Sequence, residues 1–283
     1  MVAKKMFFPV GGGKELEERI YGALLVSKYF NTHLEILVSQ ASINHLIPKG
    51  VGLSSIVLER LEDISAENME EEINKHKVIF NQCCKELDIQ INELPLEGKS
   101  TAHVSVGIGV RSTLVAQQSK FCDMVIAAAP PKGVSTATFE ASVRESGKPV
   151  MVIPRKMKEF KTEAIMIAWN NSPEASRAVS EAIPLLKKAK RVHIVSSSAF
   201  TTKTLSRIKD LQSYLELHDI DTTFELVKTT LIPGEALVKN AQKGNFDLIV
   251  AGGYGHKGIK EMMLGGSAKY LLEHTTIPTL ISH

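Results

Sequence analysis

Six glycines fall within sixteen residues in GGYGHKGIKEMMLGGS (252–267), directly behind the apolar run Leu248–Ala251. Glycine lacks a Cβ, so it can turn the chain sharply at a strand end and bring backbone amides close to a bound group. Further on, Gly265-Gly266-Ser267 precedes AKYLLEHTT, whose pattern reads as a helix with Ser267 as its N-cap. The free N–H groups at such a helix start hold anions, so the chemistry this spacing suits is the cradling of a phosphate. Lys257, Lys260 and Lys269 add positive charge to the same segment. A plainer reading gives the glycines only a strand-ending role and Ser267 only a capping role. These residues alone weigh the two readings equally.

The elements that must position this loop appear twice along the chain. MFFPVGGGKELEERIYGALLVSKYFNTHLEILVSQ in the first half and IMIAWNNSPEASRAVSEAIPLLKKAKRVHIVSSS in the second share one order: apolar run, turn, amphipathic helix, apolar run. Ala175, Ala178, Val179, Ala182 and Leu186 recur at helical spacing, with Ser172 as N-cap, Pro173 in the first turn and Pro184 expected to kink the helix late. CDMVIAAA (122–129) matches FDLIVAGG (246–253), and GKPVMVIP (147–154) matches TIPTLISH (276–283). Strand-like runs alternating with helical patterns imply a parallel sheet. The expected fold class is therefore α/β: two tandem open parallel-sheet domains, each of about five strands with helices on both faces.

The expected boundaries are residues 1–154 and 164–283, joined by the charged linker RKMKEFKTE at 155–163. The first half carries roughly 35 extra residues between its second and fourth strands. This insertion, about 40–90, reads as an apolar loop and a long helix, with Glu70, Glu71 and Glu72 expected near the helix's positive end. The second half is longer by about five residues after its fourth strand, where the glycines sit; the first half has AAAPPKGVSTATFEAS there. The first half keeps the strands without the glycines, so folding does not require the loop, and the comparison favours a ligand. The terminal strands KPVMVIP and IPTLISH are expected to pair antiparallel and extend one sheet.

Several other signals lead nowhere. The early GGGK (11–14) has Phe8 where a P-loop needs its first glycine and Glu15 where it needs Ser or Thr. Gly107-Ile108-Gly109 lacks the third glycine of a dinucleotide fingerprint. Neither an HExxH pairing, a CxxC nor a Gly-x-Ser-x-Gly elbow occurs, so no catalytic residue and no metal ligand is assigned. Asp247 belongs at the wrong end of its strand to serve the loop.

A 283-residue chain exceeds the usual single-domain size. Its 43% hydrophobic and 23% charged composition is that of a globular protein. The net charge of +3 is small and scattered, which argues against nucleic acid and acidic membrane as partners. Cys83, Cys84 and Cys122 are an odd set with an adjacent pair, unlike a disulfide framework. With no signal-like start and no window near the ~18 apolar residues of a membrane span, the expected location is cytoplasmic.

In organisation the chain resembles the universal stress protein family in its tandem form, of Rossmann-like, adenine-nucleotide alpha hydrolase-like fold. The specific likeness is the family signature: glycine, two residues, glycine, nine residues, glycine, then Ser or Thr. Gly253, His256 and Gly266-Ser267 fall at that spacing, with His256 in place of the second glycine. Asn170 stands where the family usually has an acidic residue after the first strand. In the nucleotide-binding branch these positions hold ATP. The resemblance therefore implies phosphate contacts from the backbone of Gly253, Gly266, Ser267 and Ala268 with the His256 ring near the phosphates, and it implies that one chain is an intramolecular pseudo-dimer. It implies an adenosine pocket lined by Asn170 and the region of Ser197. The function so implied is a non-catalytic sensor binding ATP, ADP or AMP, with or without magnesium, in its second domain. The alternatives are a tandem scaffold that binds no nucleotide and a slow ATP hydrolase, and a further homodimer is left open.

Overall fold

Among the described residues eleven strands form a single sheet, and its central ones are apolar runs buried on both faces, as parallel strands flanked by helices must be. The computed structural model describes residues 3–11, 13–40, 55–131, 134–197, 202–228, 233–253, 270–271, 273–274 and 276–283. The strands are β1 (Lys5–Val10), β2 (His33–Gln40), β3 (Gln90–Ile91), β4 (Thr101–Ile108), β5 (Met124–Ala128), β6 (Val150–Ile153), β7 (Ala164–Trp169), β8 (Arg191–Ser197), β9 (Thr222–Val227), β10 (Leu248–Gly252) and β11 (Thr279–Ser282). The helices are α1 (Leu16–Phe30), α2 (Ser55–Glu86), α3 (Arg111–Gln118), α4 (Ala137–Arg144), α5 (Pro173–Leu186), α6 (Thr202–Glu216) and α7 (Pro233–Lys243).

The strand order is β3-β4-β2-β1-β5-β6-β11-β10-β7-β8-β9. Every neighbouring pair is parallel except β6 and β11, which run antiparallel with Thr279 opposite Val152, Leu280 opposite Met151 and Ile281 opposite Val150. The order β4-β2-β1-β5-β6 of the first half thus recurs as β9-β8-β7-β10-β11 in the second. The expected antiparallel pairing of the two terminal strands is what joins them. The first half adds the two-residue β3 at its outer edge.

Helices cover both faces. Ile20 and Leu24 of α1, Phe80 and Cys83 of α2, Val179 of α5 and Ile208 of α6 pack into one buried cluster. Val115 of α3, Phe139 of α4 and Ala241 of α7 pack into the other. Local signals fix several ends. The Ser172 hydroxyl accepts the Ala175 N–H at 3.2 Å to start α5, and Thr136 does the same for Phe139 at the start of α4. Asn31, left-handed at φ 52°, closes α1.

The matched aspartates perform the same task. Asp123 Oδ2 accepts the backbone N–H groups of Lys4 and Lys5, and Asp247 Oδ2 accepts those of Glu163 and Ala164. Each ties the entry of its half's first strand to the strand beside it. Asp247 therefore lies at the opposite end of the sheet from the glycines, as the pattern indicates.

One expectation needs correction. The long helix begins at Ser55, so Glu70, Glu71 and Glu72 lie in its middle and do not serve its positive end. Helix α5 contains Pro184 and continues to Leu186. The segment 155–163 is charged on its surface yet docked: Met157 and Phe160 are buried in the first cluster. The Phe160 ring meets Tyr29 edge-on at 5.0 Å, and the Tyr29 hydroxyl is 2.5 Å from Thr162 Oγ1.

Candidate functional site

In each half the strand order reverses beside the first strand, between β1 and β5 and between β7 and β10. Connections diverge there, which leaves a crevice beyond the carboxyl ends of the strands. In the second half this edge is formed by Trp169, Asn170 and Asn171 after β7 and by Gly252 and Gly253 at the end of β10.

Gly252 is where α5 meets the sheet. A Cβ on it would lie 2.6 Å from the Ala175 nitrogen and 3.0 Å from the Glu174 carbonyl carbon, both in the first turn of α5. Only glycine lets the helix start approach the strand end so closely. Gly253 differs: a Cβ there meets Ser282 O at an ordinary 3.4 Å, with Val143 of α4 at 3.7 Å. Its N–H donates to Ser282 O at 2.9 Å, continuing the pairing with β11. The Gly253 amide thus has a partner within the sheet, contrary to its expected orientation toward a phosphate.

Asn170 is exposed, and its Oδ1 accepts the Ser172 N–H at 3.1 Å, so the side chain shapes the turn into α5. Asn171 follows in the left-handed region at φ 58°. The first turn of α5 is already supplied with negative charge by Glu174. Burial acts to raise that carboxyl's pKa, but hydrogen bonds from its own backbone N–H and Ser172, with Arg177 3.4 Å away, hold it below the usual range. Ser197 is the last residue of β8. His256, Gly266, Ser267 and Ala268 lie outside the described residues.

Sequence reasoning missed the cavity beside this edge. About 540 Å³ lies between α5 and α6, lined among others by Trp169, Asn171, Ser172, Ser176, Arg207 and Tyr214. The buried Trp169 indole N–H has no hydrogen-bond partner among the described residues, a donor in want of an acceptor. The available signal was that the chain's one tryptophan closes a strand immediately before Asn170. Among the described residues no cluster of His, Cys, Asp or Glu could hold a metal ion.

These features define an open, doubly wound α/β protein made of two half-sheets joined edge to edge. Residues 161–283 match the Universal stress protein family. Over the whole chain the fold is similar to that of a universal stress protein from Archaeoglobus fulgidus DSM 4304. The TM-score is 0.70 at 16% identity, covering 98% of this chain and 97% of that one. A functionally unknown protein from Pseudomonas aeruginosa PAO1 is also similar, with TM-score 0.58 and 16% identity over 99% of this chain and 92% of that one. Both likenesses span both halves, consistent with a tandem arrangement. No curated protein matches the chain. No helix among the described residues is long and apolar enough to cross a membrane.

Proposed function

We propose that the second half, residues 164–283, binds an adenine nucleotide at the carboxyl edge of β7 and β10 and acts as a non-catalytic sensor. The first domain, 1–154, and the docked segment 155–163 hold it in place. The observation that carries the reading is positional: the signature glycines begin where the strand order reverses. The phosphate end belongs with the backbone of Gly266, Ser267 and Ala268, since the Gly253 amide is engaged by β11. The nucleoside end belongs beside Asn170, Ser197 and the cavity that starts at Trp169. His256 would stand close to the phosphates, where a protonated imidazole assists anion binding. Magnesium would accompany ATP as a phosphate-bound ion. A cytoplasmic location fits this ligand.

A second reading has its own support. Asn170 Oδ1 is occupied by its own turn, and Glu174 already sits at the start of α5. Both facts favour a scaffold that takes no nucleotide. Titration calorimetry with ATP, ADP and AMP separates the two. Binding that Gly266→Asp abolishes supports the sensor; no heat and no thermal shift at millimolar nucleotide supports the scaffold.

A further inference from the structure

The first half's own switch point has no glycine signature, yet its carboxyl edge gathers positive charge. Gly11 ends β1 and Ala129 follows β5, so these two residues flank the crevice there. Arg111, the first residue of α3, reaches across the end of β2: its Nε donates to Ser39 Oγ at 2.6 Å. Its guanidinium then lies on Gly11, where a Cβ would fall 2.8 Å from Cζ. Gly11 is the glycine of GGGK on which this guanidinium rests.

Two further arginines stand around it. Arg19 of α1 is buried and donates to Gly11 O at 2.9 Å and Glu15 O at 3.1 Å. Arg155 donates to Glu15 Oε2 at 2.5 Å, to Lys14 O at 3.0 Å and to Ala129 O at 3.4 Å. Burial draws the Arg19 pKa down to about 10, and the charges of Arg155 and Arg111 push the same way while Glu15 opposes them. The three guanidiniums therefore share one electrostatic neighbourhood.

Its carboxylates are few. Glu15 pairs with Arg155 and, at 3.6 Å, with Lys156. Arg111 is different: among the described residues no carboxylate oxygen lies within 4.0 Å of it, and its two terminal nitrogens make no hydrogen bond. Glu72 of α2 acts on it only at longer range. A part-buried guanidinium fork with two unused donors is built to take an oxyanion in bidentate fashion. Beside it α1 starts at Glu15, which is left-handed and makes no side-chain cap.

We propose that this edge of the first half is a second, independent ligand site, which binds a phosphate-type oxyanion through Arg111. Free phosphate and the phosphate of a small metabolite share this chemistry.

The test is calorimetric titration of the full chain with inorganic phosphate at fixed ionic strength, using wild type, R111Q, R111K and G266D. Wild type and G266D should bind phosphate alike. R111Q should bind about tenfold or more weakly, because a charge-assisted fork is lost. R111K keeps the charge without the fork and should weaken binding several-fold; it carries the test if circular dichroism shows R111Q unfolded. Absence of phosphate binding by wild type, or unchanged affinity in both Arg111 variants, overturns the inference. So does loss of phosphate binding in G266D alone, which places the anion in the second half. AMP and ATP titrations then identify the source. Arg111-dependent AMP binding tighter than phosphate identifies a nucleotide phosphate, and equal affinity a free anion; both uphold the site. Failure of the second-half nucleotide reading leaves this result untouched, since G266D and R111Q act on different halves.

Discussion

Gly252 and Gly253 are adjacent, identical in type and opposite in meaning. The first lies against the backbone of Glu174 and Ala175, and the second makes only ordinary contacts. Gly252→Ala should therefore cost about 1–3 kcal/mol through overpacking against a helix backbone that cannot step aside. Gly253→Ala should stay within about 1 kcal/mol. Urea denaturation without ligand checks both, and equal losses would contradict the distinction. The sequence could not separate the pair, because a glycine needed for helix approach and one needed for a ligand look the same. Asn170 posed the same difficulty. Its position after the first strand was legible, but its hydrogen bond to Ser172 depends on turn geometry that a residue type does not encode. Arg111 escaped for a third reason: it reaches Gly11 across β2, a neighbourhood set by strand order and invisible to local spacing.

At the scale of elements, periodicity carried far where packing is regular. The apolar face of α5, its Ser172 cap and the repeated aspartates were all readable because each rests on short-range spacing. The docking of segment 155–163 was not, since its charged residues outnumber Met157 and Phe160, and composition showed only a charged linker. Docking is decided by those two buried side chains, whose partners Tyr29 and Phe30 are over a hundred residues away in sequence. Phe160→Ala should accordingly cost about 3–5 kcal/mol, as for a core aromatic and unlike a linker change. Thermal or urea unfolding monitored by circular dichroism measures it. A loss near zero would return the segment to linker status. The insertion followed the same logic: its existence was legible from the mismatch between halves, whereas the start of α2 at Ser55 was not.

At the scale of the molecule, one continuous sheet couples two halves that each resemble a complete domain. The coupling runs through β6 and β11, whose facing residues Val150, Met151, Leu280 and Ile281 are all buried. The Val143 side chain against Gly253 and the Arg177 hydrogen bond to His283 O brace the same region. A joint this dry makes separation of the halves expensive, so they should unfold together. The chain's one tryptophan, Trp169, lies in the second half, while Met151 belongs to the first. Met151→Ala should cost about 2–5 kcal/mol. It should lower the urea midpoint seen by Trp169 fluorescence and by far-UV circular dichroism equally. If the dichroism midpoint fell while the Trp169 midpoint held, the halves would be independent units that merely touch. Coincident shifts would mean that a ligand held by either edge stabilises the whole chain, which is the minimum a two-site sensor requires.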